Sequence, residues 1–268
     1  MIKAIVAGAA GRMGQRLIHM IHQSPDITLT GAFENPDHPA VGKDAGQIAA
    51  LDQLGIEIRS SLDDIIDEGQ VIIDFTAPEA TLSNLRLASS HGLSMIIGTT
   101  GIEDLQEIKK LSQSIRCVMA PNFSIGVNVM FYLAGRMAEI IGQDFDMEIL
   151  EVHHRLKKDA PSGTPMQLAR ILSKSVNRDL DKVAVYERRG MIGPRSDQEI
   201  GLQTWRAGDI VGEHTIMFGG MGERLELIHR AHSRDNFAKG AIRAAKWVID
   251  QDPGLYDMQD VLGLKDKG

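Results

Sequence analysis

Cysteine is almost missing from this chain. Cys117 stands alone among 268 residues, so no intrachain disulfide can form and no cysteine-based zinc or iron–sulfur site is available. No metal is expected, and a reducing cytoplasm is the expected compartment. Aromatic residues are scarce at 4%, which leaves an aliphatic interior with the 13 methionines as core filler. Positive charge is not in surplus either: 29 Lys+Arg against 36 Asp+Glu give a net charge of −7. That excludes a global field for nucleic acid or an anionic membrane, and any anionic ligand must be met by a local basic cluster. No apolar run approaches the roughly 18 residues of a membrane span. The chain opens on the strand-like Ile2–Ala7 without a charged leader, so neither membrane insertion nor secretion is expected.

The organisation changes part-way along the chain. Up to about Asn122, short β-branched runs alternate with amphipathic stretches, the pattern of parallel βαβ units. Strands are expected at Ile2–Ala7, Ile27–Phe33, Val71–Phe75, Leu93–Ile97 and Ile115–Ala120, with helices at Arg12–His22, Pro78–Ser90 and Ile102–Ser112. Beyond it come a long helix (Ser124–Ile141), a strand (Met147–Val152) and a helix from about Thr164 to Lys174. Glu199–Arg206, Ile210–Phe218 and Arg224–Ala231 then read as consecutive antiparallel strands joined by glycine turns. A last helix, Asn236–Asp250, is expected to return to the first domain. The expected fold class is therefore α/β: a Rossmann-like parallel-sheet domain (1–123 and 236–268) plus an α+β domain with an open, mainly antiparallel sheet (124–235).

Directly after the first strand stands Gly8-Ala9-Ala10-Gly11-Arg12-Met13-Gly14, and Glu34 closes the second strand 20 residues beyond Gly14. Glycine permits the tight turn and a close backbone approach to a pyrophosphate, the following helix N-terminus favours the anion, and the acid accepts from ribose hydroxyls. The spacing is GxxGxxG, so the dinucleotide reading rests on strand, helix and acid standing in the right order. Two further loops follow strands, Gly98-Thr99-Thr100-Gly101 and Ala120-Pro121-Asn122-Phe123-Ser124. Their small and hydroxyl residues suit ribose or nicotinamide, while Thr99 or Thr100 serve equally well as a helix cap.

The densest chemistry lies in EVHHRLKKDAPSGTP, Glu151 to Pro165, which gathers His153, His154, Arg155, Lys157 and Lys158 in an acidic protein. An anion-binding site at a strand exit is implied. Thr164 reads as an N-cap with Pro165 first in the helix, whose amides suit a carboxylate. His153 or His154 can exchange a proton near neutrality, and Lys157 can act as cation or donor. His214, His229 and His232 lie on or beside strands and read as structural, and Cys117 as a buried small hydrophobe. A cysteine-dependent aldehyde dehydrogenase is thereby disfavoured.

These residues together resemble the bacterial 4-hydroxy-tetrahydrodipicolinate reductases, also called dihydrodipicolinate reductases. The motifs are AGAAGRMG (Ala7 to Gly14), DFTAPE (Asp74 to Glu79), IGTTG (Ile97 to Gly101), APNFSIGVNVM (Ala120 to Met130), EVHHRLKKDAPSGT (Glu151 to Thr164), RAGDIVGEHT (Arg206 to Thr215) and SRDNFAKGA (Ser233 to Ala241). The resemblance implies NAD(P)H-dependent reduction of a small cyclic dicarboxylate at C4, in lysine and diaminopimelate biosynthesis, by a homotetramer. It makes His153 the general acid/base, Lys157 the proton donor, and His154, Gly163 and Thr164 the substrate-carboxylate ligands. It assigns the nucleotide to Gly8, Ala9, Ala10, Gly11, Arg12, Met13, Glu34, Gly98, Thr99, Thr100, Ala120, Pro121, Asn122 and Phe123. Two departures stand out: Ala10 replaces a loop glycine, and Asn35 stands where some relatives carry an arginine for the NADPH 2′-phosphate. NADH is therefore the expected preference over NADPH. Two other readings compete: a dehydrogenase acting on a sugar or an amino-acid semialdehyde, and a non-catalytic redox sensor. Neither needs the HHxxK cluster beside PSGT.

Overall fold

The computed structural model describes residues 1–265. By internal contacts the chain divides into two compact units, one of residues 1–125 with those from Arg234 on, the other of Gly126–Ser233.

In the first unit the β-branched runs form β1 (Ile2–Ala7), β2 (Ile27–Phe33), β3 (Ile58–Arg59), β4 (Val71–Asp74), β5 (Ser94–Ile97) and β6 (Arg116–Met119). With β12 (Gly254–Tyr256) they make a seven-stranded sheet in the order β12-β6-β5-β4-β1-β2-β3, and every pairing is parallel. Strands β4, β5 and the inner half of β1 are buried on both faces, which is why they read as unbroken apolar runs rather than alternating ones. The covering helices are α1 (Arg12–His22), α2 (Ala45–Ile48), α3 (Pro78–His91) and α4 (Leu105–Leu111), with α8 (Asp235–Val248) and α9 (Met258–Val261) from the end of the chain. Chain order reverses between β1 and β4. In a doubly wound sheet the ligand crevice lies at the carboxyl ends of such a pair.

The second unit holds α5 (Ile125–Ile141), β7 (Asp146–His153), α6 (Gly163–Ser175), α7 (Leu180–Val183), β8 (Ala184–Val185), β9 (Ile200–Arg206), β10 (Gly212–Gly220) and β11 (Glu223–Ala231). Its open sheet runs β11-β10-β7-β9-β8. The longest ladder, β10 with β11, is antiparallel, as is β10 with β7, whereas β7 with β9 and β8 with β9 are parallel. The sheet is thus mixed, and the expectation that the last three strands are consecutive neighbours is corrected, because β7 lies between β9 and β10. The intervening helix α6 makes β7 to β9 a crossover, and a crossover connection favours a parallel partner. One face is closed by α5 and α6 over Met147, Ile149, Leu202, Ile216 and Phe218. On the other face Trp205 and Ile228 remain 60% and 47% exposed.

Two end signals also differ from expectation. The N-cap of α6 is Ser162, so Pro165 is the third helical residue, a place it tolerates because the first-turn amides have no intrahelical acceptor. Helix α4 starts at Leu105 with Asp104 as its cap, accepting from the Glu107 N–H at 2.9 Å, so neither Thr99 nor Thr100 caps it. No helix among the described residues is long and apolar enough to cross a membrane.

Candidate functional site

The glycine loop turns tightly out of β1. Gly8 takes a φ of +63°, which L side chains rarely adopt, and a Cβ there would lie 2.8 Å from Thr76 Cγ2. At Gly14 a Cβ would meet the Gly8 carbonyl oxygen at 2.1 Å, so only glycine lets α1 start this close to the loop. Gly11 is the N-cap of α1 and brings no side-chain cap, which suits a first turn meant for an external anion. Ala10 is not among the residues with positive φ, so its methyl costs no strain. Its N–H donates to Glu34 Oε2 at 3.0 Å, and the other oxygen of Glu34 accepts from the Asn35 N–H at 2.9 Å. Glu34 is thereby fixed beside the loop, while Asn35 is exposed and its side-chain Oδ1 accepts from the Asp37 N–H. Among the other loop residues, Ala9 is buried, Met13 half-buried and Arg12 exposed.

The loops after β4, β5 and β6 share the same sheet edge. Asp74, wholly buried at the end of β4, accepts from the Thr76 hydroxyl (2.6 Å), the Thr76 N–H (2.9 Å) and the Asn84 amide (2.8 Å). The hydroxyls of Thr81 and Thr99 stand 3.1 and 3.4 Å from it and 2.7 Å from each other. The Thr99 side chain is therefore engaged inside the protein, while Thr100 is exposed. Gly98 is required by packing, since a Cβ would fall 2.1 Å from the Phe75 ring. Phe123 is core: 1% exposed, its ring lies 5.4 Å from that of Phe75. Ala120 is buried, Pro121 is exposed and Asn122 accepts from the Ser124 N–H at 2.8 Å. Asp74, Thr76 and Thr81 belong to this region; Asp74 and Thr76 lie in the DFTAPE motif, yet the sequence gives none of the three a role. A buried acid after a four-residue apolar strand was the available sign.

In the second unit the cationic segment leaves the centre of the sheet. Register sets Glu151 of β7 beside Thr204 on β9 and His214 on β10, and His153 beside Arg206. Glu151 is wholly buried. One of its oxygens accepts from the Ser162 N–H (2.9 Å), the Thr204 hydroxyl (3.1 Å) and the Arg206 guanidinium (3.0 Å). The other accepts from the Ser162 hydroxyl, and His153 Nδ1 stands 3.0 Å from it without the alignment of a hydrogen bond. Burial opposes ionisation of Glu151, but His153, Ser162 and Arg206 outweigh it and hold the carboxyl well below its usual range. Because the Ser162 hydroxyl is turned to Glu151, it gives α6 no side-chain cap.

His153 is 9% exposed and packs edge-on against His214, ring centroids 5.3 Å apart. Burial, reinforced by the neighbouring His153, pushes His214 down to about 3, so that ring is neutral. Gly212 keeps room for the pair, since a Cβ there would lie 3.1 Å from His153 Nε2. Lys157 Nζ pairs with Asp159 at 2.8 Å, and His154 is half-buried. At Gly163 a Cβ would meet nothing within 4 Å, so open space, not packing, adjoins the start of α6. Thr164 follows in the first turn of α6. The structure thus gathers His153, Glu151, Arg206 and His214 in one cluster around β7, with Lys157, Gly163 and Thr164 on the segment that leaves it. The spacing of charged residues could not reveal Glu151, Arg206 and His214, because their meeting depends on strand register.

Comparison with known proteins covers both units. The family model described as dihydrodipicolinate reductase, N-terminus, matches residues 2–123, and that for the C-terminus matches residues 126–262. The 4-hydroxy-tetrahydrodipicolinate reductase of Syntrophus aciditrophicus is 56% identical over 99% of this chain and 100% of its own length. That of Desulfotalea psychrophila is 54% identical with the same coverage. Among solved structures, the dipicolinate-bound dihydrodipicolinate reductase of Paenisporosarcina sp. TG-14 matches with a TM-score of 0.74 at 25% identity, covering 97% of this chain and 98% of its own.

Proposed function

The chain belongs to the dihydrodipicolinate reductase family, and on that premise we propose how its two units divide one reduction. The enzyme reduces 4-hydroxy-tetrahydrodipicolinate to tetrahydrodipicolinate with a nicotinamide nucleotide, in lysine and diaminopimelate biosynthesis. When bound, the nucleotide supplies a hydride to C4 of the dehydrated ring. The first unit fits such a group: Gly8 and Gly14 let the loop turn tightly and α1 start against it, Gly11 leaves the first turn of α1 without a side-chain cap, and Glu34 is held where it can accept ribose hydroxyls. Gly8 to Met13, Gly98 to Thr100 and Ala120 to Phe123 line that edge, with Thr99 and Phe123 contributing main chain, since their side chains are engaged in the interior.

NADH is the preferred nucleotide in this reading. Glu34 faces the position of a 2′-phosphate with like charge, and Asn35 brings no cation. In the second unit, His154 just after β7, with Gly163 and Thr164 at the start of α6, holds a substrate carboxylate, a ligand class matched by the dipicolinate in the Paenisporosarcina relative. His153 is the general acid/base, and Lys157 gives the proton that balances the hydride. The observation that carries this division is the concentration of imidazole, ammonium and helix start within Glu151–Thr164, with open space at Gly163. The enzyme is read as a cytoplasmic homotetramer; Trp205 and Ile228, exposed on the open sheet, support the association, and light scattering that shows a stable monomer at micromolar concentration overturns the assembly.

The test of the site is NADH consumption with freshly generated substrate. Lys157→Ala and His153→Ala are each expected to lower kcat about 10²- to 10⁴-fold with NADH affinity unchanged. Near-wild-type turnover in both removes the assignment.

A further inference from the structure

Glu151 has no part in the reading above, yet it is the most heavily engaged buried acid of its unit. Its partners come from three places: Ser162 at the head of α6, Thr204 and Arg206 on β9, and His153 two residues along its own strand. A neutral acceptor would join strand to helix; here the chain spends a full charge, opposed by Arg206, whose side chain is 19% exposed. We propose that Glu151 is a positioning residue, holding the His153 ring and the start of α6 in one frame so that proton exchange and carboxylate binding stay in register. The proposal rests on the assignment of His153 made above.

The chemistry follows from the distances. A carboxylate 3.0 Å from Nδ1 favours the ring proton on that nitrogen and leaves Nε2 as the exchanging atom. Nε2 is the nitrogen over Gly212, where the chain carries no side chain. The other titratable and charged groups of this neighbourhood are Arg206 from β9, His214 from β10, His229 opposite His214 on β11, and, from the segment after β7, Lys157 with the Asp159 carboxylate it pairs with. His214 is neutral and His229 is shifted down by burial, then by His232, so both are held toward the uncharged ring and away from adding a competing positive charge. Glu151 is the carboxylate in contact with the ring.

The experiment is a double-mutant cycle in the full-length enzyme, with Glu151→Gln and His153→Ala. Glu151→Gln alone is expected to lower kcat about 10- to 100-fold, the range for losing a group that orients a reacting one, with NADH affinity unchanged. Removing the negative charge is also expected to move the pH profile of kcat to lower pH, which a purely structural loss would leave in place. Glu151→Asp should recover part of the rate. In the His153→Ala background Glu151→Gln should cost nothing further in kcat, what remains of its effect appearing in KM through the start of α6. Additive losses, or wild-type turnover in Glu151→Gln, overturn the proposal. Should Glu151→Gln fail to fold around an unpaired Arg206, the Glu151→Gln/Arg206→Met enzyme removes both charges; wild-type kcat in that protein also overturns it. Wild-type turnover in His153→Ala instead overturns the assignment of His153, and the proposal with it.

Discussion

Asp74 in the first unit and Glu151 in the second are both wholly buried, and they are surrounded by different donors. Around Asp74 stand hydroxyls, an amide and a main-chain N–H, all neutral. Around Glu151 stand a guanidinium and an imidazole as well. Neutral donors can fix loop geometry without placing a second charge nearby, which suits a sheet edge that must receive a polyanion. Charged partners tie geometry to protonation, which suits a site that moves protons. The same device, a buried carboxylate, thus serves as a scaffold in one unit and as part of an electrostatic site in the other.

That contrast can be broken at its strongest point first. Asp74→Ala leaves several buried donors without an acceptor and is expected to cost about 3 kcal/mol in urea unfolding, with NADH binding weakened and the pH profile of kcat unmoved. A moved profile would make the two carboxylates alike.

Next comes acid. The folded state depresses His214 from 6.5 to about 3, so the unfolded chain binds the proton first. Its contribution to stability is present above pH 6.5 and is lost as pH falls from there toward 3. Between pH 7 and 5 it should remove about 2 kcal/mol, and His214→Gln should flatten that slope in urea midpoints. Equal slopes would mean the ring is not kept neutral by burial.

A smaller effect is expected at Gly163. Alanine there meets no protein atom within 4 Å, so melting should be unchanged, while KM for the cyclic substrate rises about tenfold. Unchanged KM would place the substrate elsewhere. The least effect belongs to the first unit: Asn35→Arg should shift the ratio of kcat/KM toward NADPH by a few-fold, through pairing of a guanidinium with phosphate. An unmoved ratio would take Asn35 away from the ribose.

Much of the first unit was legible because its signals are local. β1, α1 and β2 fall where apolar period, glycine and acid place them, and Ile2–Ala7, Arg12–His22 and Ile27–Phe33 coincide with the observed bounds. The second sheet was legible in its strands but not in their order, since pairing is decided by contacts far apart in sequence. The helical pattern between β7 and β9 favours a parallel pair, whereas the glycine turn at Gly208 points only to the β9–β10 connection and says nothing of which strands pair. His153 and Lys157 were visible as a cluster along the chain. Glu151 heads the same segment but has no role assigned from the sequence, because its partners Thr204 and His214 come beside it only through the register.

The first unit is assembled from both ends of the chain, and this imposes an order on its synthesis. Ala238, Ala241, Ala244, Ala245 and Val248 of α8 lie in the same core as Ala4, Val6 and Ile73, and Gly240 lies so close to the Phe123 carbonyl that a Cβ would fall 1.7 Å from it. A nascent chain that has emerged only as far as Ser233 carries the glycine loop and Glu34 but not the small-residue helix that seals the sheet beneath them, nor β12 on the flank of β6. All the residues of the second unit are then already outside the ribosome. The residues from Arg234 on follow the whole second unit in the order of translation and complete the first, so the capacity to hold a nucleotide arrives only after the second unit has been made, although the glycine loop precedes it.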